Sequence, residues 1–140
     1  MFIKKKIVFF SGNRSDYSIQ EPILNILKNY TQNKIFLILS GSHSNKKMVG
    51  STFKNIKKKN KKNIFEIQVK GEFNKIEDIN DFNNKFQKKF SFLIKKLKPD
   101  FVVLTGDRYE TFSAGFAAFL ERIPIIHLEG GDMTLGGAYD

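Results

Sequence analysis

The order of apolar segments in this chain calls for an α/β fold with a doubly wound parallel sheet. Short apolar runs alternate with helical-period segments from one end to the other. Most of the runs are continuous rather than alternating, as strands covered on both faces are. Four of the five runs end in a glycine-bearing polar turn, as strands do where they feed a helix or a ligand loop. The 140 residues are enough for one domain with one core, and 15 Phe supply much of its volume.

The first run, "KKIVFF" (5–10), reads as a buried strand, broken by the turn residues "SGNRSD" (11–16). "YSIQEPILNILKNY" (17–30) carries Ile19, Ile23, Ile26, Leu27 and Tyr30 at helical spacing. Asp16 or Ser18 suits its cap, and Pro22 is tolerable only in a first turn. "KIFLILS" (34–40) is the second strand and "GSHSNKK" a loop. Residues 44–56 fit either a loop or a short helix, and "KNIKKKNKKN" (54–63) reads as a solvated turn. "IFEIQV" (64–69) alternates with period two and is the third strand.

Ile76, Ile79, Phe82, Phe86, Phe90, Leu93 and Leu97 then step by three or four, the clearest helix in the chain, stopped by Pro99. "DFVVLT" (100–105) is a strand and "GDR" a tight turn. "YETFSAGFAAFLER" (109–122) is apolar nearly all round, which predicts a helix packed between neighbours. "IPIIHL" (123–128) is the last strand. With right-handed crossovers the whole is Rossmann-like.

The bulk properties exclude several classes. No Cys means no disulfide framework and no thiolate metal site, which suits a reducing cytosol. No stretch is long and apolar enough for a membrane span, and Ile7–Phe10 is too short for a signal-peptide core. The net charge of +10 suggests nucleic acid, but 21 Lys against 3 Arg is a poor reader of phosphates and bases. Neither a nucleic-acid nor a membrane partner is expected. There is no G-x-x-x-x-G-K-[ST] and no G-x-G-x-x-G after the first strand, so a P-loop or dinucleotide site is not expected either.

In such a fold ligands bind beyond the carboxyl ends of the strands. There the sequence places Gly12-Asn13-Arg14-Ser15-Asp16, Gly41-Ser42-His43, Gly106-Asp107-Arg108 and Glu129-Gly130-Gly131-Asp132. Arg14 and Arg108 at helix N-termini make a locus suited to phosphate, because free N–H groups and the helix dipole add to the guanidinium charge. Carboxylates nearby cannot bind phosphate. They serve as acid or base, or hold a hydroxyl or a metal. Each residue also has a plain role: glycine as turn chemistry, Asp107 as an N-cap, His43 as a solvated loop residue.

"SGNRSDYSIQEPIL", "LTGDRYE" and "IPIIHLEGGDMT", in this order, resemble the hydrolysing UDP-N-acetylglucosamine 2-epimerases across residues 5–140. The resemblance implies a glycosyltransferase-B-like architecture of two Rossmann-like domains with a UDP-sugar in the cleft. Residues 1–140 would be an incomplete N-terminal domain, lacking the C-terminal nucleotide-binding domain and inactive alone. The implied reaction abstracts the proton at C2, eliminates UDP and hydrates the intermediate, on a route to sialic or related acids, in the cytoplasm. Asp107, Glu129 and Asp140 match catalytic carboxylates, with Asp132 a further candidate. Arg14, Ser18 and Arg108 match substrate-binding positions, and His43 joins that set from its loop. Neither a metal nor another cofactor is implied, and a homodimer is compatible. The first loop reads Arg14-Ser15-Asp16-Tyr17, where the non-hydrolysing branch typically has Gly-Thr-Arg-Pro. That branch and a non-catalytic Rossmann-like binding module are the alternatives.

Overall fold

A computed structural model of the chain describes residues 4–30, 32–44, 52–60, 62–69 and 76–131. The elements run β1 (Lys6–Ser11), α1 (Arg14–Tyr30), β2 (Lys34–Leu39), a 3-10 turn (Gly41–Ser44), α2 (Thr52–Asn60), β3 (Ile64–Glu66), α3 (Ile76–Leu97), β4 (Phe101–Thr105), α4 (Tyr109–Leu120) and β5 (Ile125–Leu128). The five strands form one sheet in the order β3-β2-β1-β4-β5, and every pairing is parallel. This is the doubly wound α/β sheet that the sequence calls for.

Alternation along β1 explains the two layers. Val8 and Phe10 face α3 and α4, in a core with Phe36, Ile38, Val102 and Leu104. Ile7 and Phe9 face α1 and α2, in a second core with Leu24, Ile56, Leu37 and Leu39. Successive strand residues point to opposite faces, so a strand apolar at every position seeds both cores. The first core is a ladder of rings. Phe10 lies 5.2 Å from Phe86 and 5.6 Å from Phe90, the latter edge-on. Phe82 stacks on Phe86 at 6.0 Å. Each ring buried in this way contributes about 2–3 kcal/mol from removed apolar area. α3 ends where Lys98 adopts a positive φ ahead of Pro99, an ordinary way to stop a helix.

Several elements differ from the sequence reading. α1 begins at Arg14, not Tyr17, so Pro22 lies inside a 17-residue helix rather than in its first turn. Most of the lysine-rich block expected as a turn is helical: α2 runs from Thr52 to Asn60 and buries Ile56. Ile56 supplies an apolar anchor in the middle of the block, and the lysines flank it. The strand expected over 64–69 is regular only at Ile64–Glu66. Ile67 continues the backbone pairing through one bond to Leu39 O.

The largest departure is α4. Instead of packing all round, it buries Glu110, Thr111, Ser113, Ala114, Ala117 and Ala118. Phe112 and Phe119 are 73% and 69% exposed. β5 is exposed as well, so the sheet is not covered on both faces at this edge. No helix among the described residues is long and apolar enough to cross a membrane.

Candidate functional site

The carboxyl rim is organised by how the strands end. β1 pairs with β2 along its whole length, from Lys6 to Ser11, but with β4 only from Ile7 to Phe9. Beyond Phe9 the two strands part. The order reverses about β1, so a crevice opens there, as expected at a switch point. Gln20 of α1, fully buried, fills its floor. Its Nε2 donates to Phe10 O at 2.7 Å and to Thr105 Oγ1 at 2.9 Å. Its Oε1 has no partner among the described residues.

The turn after β1 is a reciprocal cap. Asn13 Oδ1 accepts the Asp16 N–H at 2.9 Å, and Asp16 Oδ2 accepts the N–H groups of Gly12 (3.0 Å) and Asn13 (3.2 Å). This is the capping-box geometry with a shorter acid. The cap is therefore Asn13, and Asp16 is its return partner. Burial raises the Asp16 pKa, and the two N–H bonds and Arg108 offset that only in part.

Arg14, the first residue of α1, and Ser18, one turn on, are exposed. Both line a cavity of about 140 Å³ between α1 and α2, with Tyr17, Glu21, Thr52 and Lys59 also on its wall. Ser18 Oγ donates to Arg14 O at 2.8 Å.

His43 does not face solvent. It is buried, with Nε2 2.9 Å from Ser11 Oγ and Nδ1 2.9 Å from Thr52 Oγ1. Ser11 Oγ donates to Asn13 O at 2.9 Å. A neutral ring satisfies all three bonds, with Nε2–H donating to Ser11 and Nδ1 accepting from Thr52. Burial agrees, lowering the His43 pKa to about 4. The ring ties the 3-10 turn and α2 to the β1 turn.

After β4, Asp107 is exposed and Arg108 occupies the N-cap of α4 without a side-chain cap bond. Arg108 is held from two sides. Its Nε donates to Glu110 Oε2 at 3.3 Å, and its guanidinium lies 5.6 Å from the Tyr109 ring centre. Burial works against the guanidinium charge, but Glu110 and Tyr109 together outweigh it and raise the Arg108 pKa. Glu110 is only 1% exposed. Burial raises its pKa although Arg108 pulls the other way. Its place in the first turn of α4 carries no sign of this depth in the sequence.

The β4 and β5 turns are tied together. Gly106 N–H donates to Leu128 O at 3.1 Å, and His127 Nε2 donates to Gly106 O at 2.6 Å. A Cβ on Gly130 would land on the His127 ring, so this bond needs glycine there. Glu129, between them in sequence, is exposed with φ near 56°. β1, β4 and β5 are consecutive in the sheet, so the turns bearing Arg14, Asp107 and Glu129 lie side by side. Asp132 and Asp140 lie outside the described residues.

Comparison with known proteins agrees with this fold. The chain is 32% identical, over 98% of its length, to the GDP/UDP-N,N'-diacetylbacillosamine 2-epimerase (hydrolyzing) of Campylobacter jejuni, and the match covers 35% of that protein. It is 29% identical over 97% of its length to the polysialic acid biosynthesis protein P7 of Escherichia coli, covering 34% of it. The chain spans about a third of the length of the curated relatives it matches. Among solved structures, the UDP-GlcNAc 2-epimerase from Neisseria meningitidis bound to UDP-GlcNAc superposes with a TM-score of 0.74 at 20% identity. That match covers 94% of this chain and 34% of that one. Residues 25–139 match the family model described as UDP-N-acetylglucosamine 2-epimerase, and with it the fold, the rim and the relatives converge: the chain belongs to the UDP-N-acetylglucosamine 2-epimerase family.

Proposed function

We propose that this chain supplies the N-terminal, rim-bearing domain of a hydrolysing UDP-amino-sugar 2-epimerase. The observation that carries the reading is the charge layout of the rim. Cations stand at the starts of two helices, Arg14 on α1 and Arg108 on α4, beside exposed carboxylates at the ends of β4 and β5. Such an edge suits a ligand with a diphosphate at one end and a carbon acid at the other.

Arg14, Ser18 and Arg108 receive the UDP portion, where positive charge and N–H donors favour its departure. Asp107 and Glu129, with Asp132 and Asp140 further along the chain, take the proton from C2 and deliver water's components to the intermediate. His43 acts by holding the β1 turn in place. The completing domain closes the cleft from the other side and carries most of the nucleotide contacts, so this chain alone turns over no substrate. The hydrolysing outcome is supported by the names of the C. jejuni and Legionella pneumophila relatives, both epimerases called hydrolyzing. A UDP-sugar is supported by the neighbour bound to UDP-GlcNAc and by a Staphylococcus aureus MnaA–UDP structure. These names also support a role in making sialic acid or a related sugar.

The test joins the full chain to the C-terminal two-thirds of the C. jejuni relative. Given UDP-GlcNAc or UDP-N,N'-diacetylbacillosamine, the chimera is expected to release free amino sugar and UDP in equal amounts. An Asp107→Asn chimera is expected to lose at least 100-fold in rate, the scale of a missing general base. Accumulation of an epimerised nucleotide sugar without free UDP would reject the hydrolysing assignment.

A further inference from the structure

We infer that Glu110 is the positioning residue of the rim: its buried carboxylate sets Arg108 in place for an anionic group and holds the turns after β1 and β2 against the start of α4. The inference rests on the reading of Arg108 as a diphosphate-binding residue and adds a residue to it.

Three observations meet at this one side chain. Glu110 is essentially sealed from solvent, yet it is the acceptor for Arg108 Nε at 3.3 Å. A bond through Nε does not consume the terminal nitrogens, the pair that meets a phosphate in bidentate fashion. Second, Gly41 sits directly against it. A Cβ there would come within 2.6 Å of both Glu110 Oε1 and Gly12 O, and Gly41 has φ near 58°. The turn after β2 therefore approaches Glu110 as closely as only a glycine allows. Third, a Cβ on Gly12 would lie 3.8 Å from the Glu110 carboxyl carbon and 3.5 Å from Asp16 Oδ2. One carboxylate thus bonds the guanidinium after β4 and leaves no room for a side chain on the turn after β2, with the turn after β1 close by.

The placement has a physical cost that structure alone does not explain. An acid this deep in a domain is expensive unless paired, and a glutamine would fill the same space with less desolvation. What a glutamine cannot supply is a charged partner for Arg108. With a charged acceptor, the guanidinium has a fixed plane before a ligand arrives, and the ordering cost is met in folding rather than in binding.

The 140-residue chain allows a direct test, because it contains only three Arg and so three Nε–H signals. The chain, Arg108→Ala, Glu110→Gln and the double variant are compared. The Arg108 Nε–H exchange is read by NMR in the 140-residue chain, and UDP affinity is measured in the chimera with the C-terminal two-thirds of the C. jejuni relative, carrying the same substitutions. The Arg108 Nε–H is expected to exchange slowly in the unsubstituted chain and at least 10-fold faster in Glu110→Gln. Glu110→Gln is expected to weaken UDP about 10-fold, and the double variant to bind no more weakly than Arg108→Ala. Such non-additivity marks action through the arginine. Equal weakening by Glu110→Gln with and without Arg108, or no weakening, overturns the inference while leaving the family reading intact. An Arg108→Ala chimera that binds UDP as tightly as the unsubstituted chimera, or an unsubstituted chimera that does not bind UDP, overturns the diphosphate role of the rim itself. Should Glu110→Gln melt at a much lower temperature, Arg108→Lys, which keeps the carboxylate, gives the second arm: it too is expected to weaken UDP without altering the fold.

Discussion

The two ends of the sheet solve the same problem in opposite ways. On the β1–β2–β4 side, α3 presents Phe82, Phe86, Phe90 and Ile94 to the strands and buries all four. At the β5 side, α4 turns its alanines inward and its phenylalanines outward, with Phe112 and Phe116 stacked on each other in the open. The contrast teaches that apolar content does not decide burial. α4 lies against α3 and the strands through small side chains, which allow close approach, and its bulky residues have nowhere inward to go. An apolar stripe left on a surface is characteristic of an interaction face.

The contrast can be broken most sharply in the ring ladder. Phe86→Ala is expected to cost about 3–5 kcal/mol in denaturant unfolding, because the ring is fully buried and stacks on Phe82 and Phe90. A loss below 1 kcal/mol would mean that this side is no more tightly packed than the other.

His43 sharpens the comparison at the closed rim. Its pKa is depressed from the usual 6.5 to about 4. A group shifted in this direction contributes stability above its unfolded pKa, and that contribution is lost as the pH falls from about 6.5 towards 4. The full effect amounts to roughly 3 kcal/mol. Asp16 and Glu110, shifted upward by burial, act in the opposite sense: their contribution is lost as the pH rises. The informative quantity is therefore the difference between the unsubstituted chain and His43→Gln. It is expected to grow with pH across this window and to level off above it. A difference independent of pH would show that the ring is not held neutral. The smallest effect belongs to the open side: Phe119→Ser is expected to change stability by no more than about 0.5 kcal/mol, measured in the same unfolding series.

Some of this was legible in the residues and some was not. α3 was readable to its ends, because one side of its period is apolar without interruption and Pro99 follows. The parallel, doubly wound sheet was readable from the alternation of element type. α4 was not, since a helix apolar all round gives no period to say which side meets the sheet. The start of α1 was missed although Asn13-Arg14-Ser15-Asp16 carries the spacing of a reciprocal cap. The gathering of polar turns on one rim was legible, and so were Arg14 and Arg108 at helix starts. The depth of Glu110 and His43 was not. Glu110 depends on glycines whose backbones approach it closely, and His43 on hydroxyls brought to it from β1 and α2, three-dimensional relations that spacing along the chain does not encode.

Gln20 has a consequence beyond its own two bonds. Where β1 and β4 diverge, the backbone ladder that would keep water out is interrupted, and a side-chain amide takes over as the stopper. The dryness of both hydrophobic layers beneath the crevice therefore depends on one residue of α1, a helix whose opposite flank carries Arg14 and Ser18. Charged rim and solvent seal are in this way fastened to the same rod, so a shift of that rod on one side would be felt on the other.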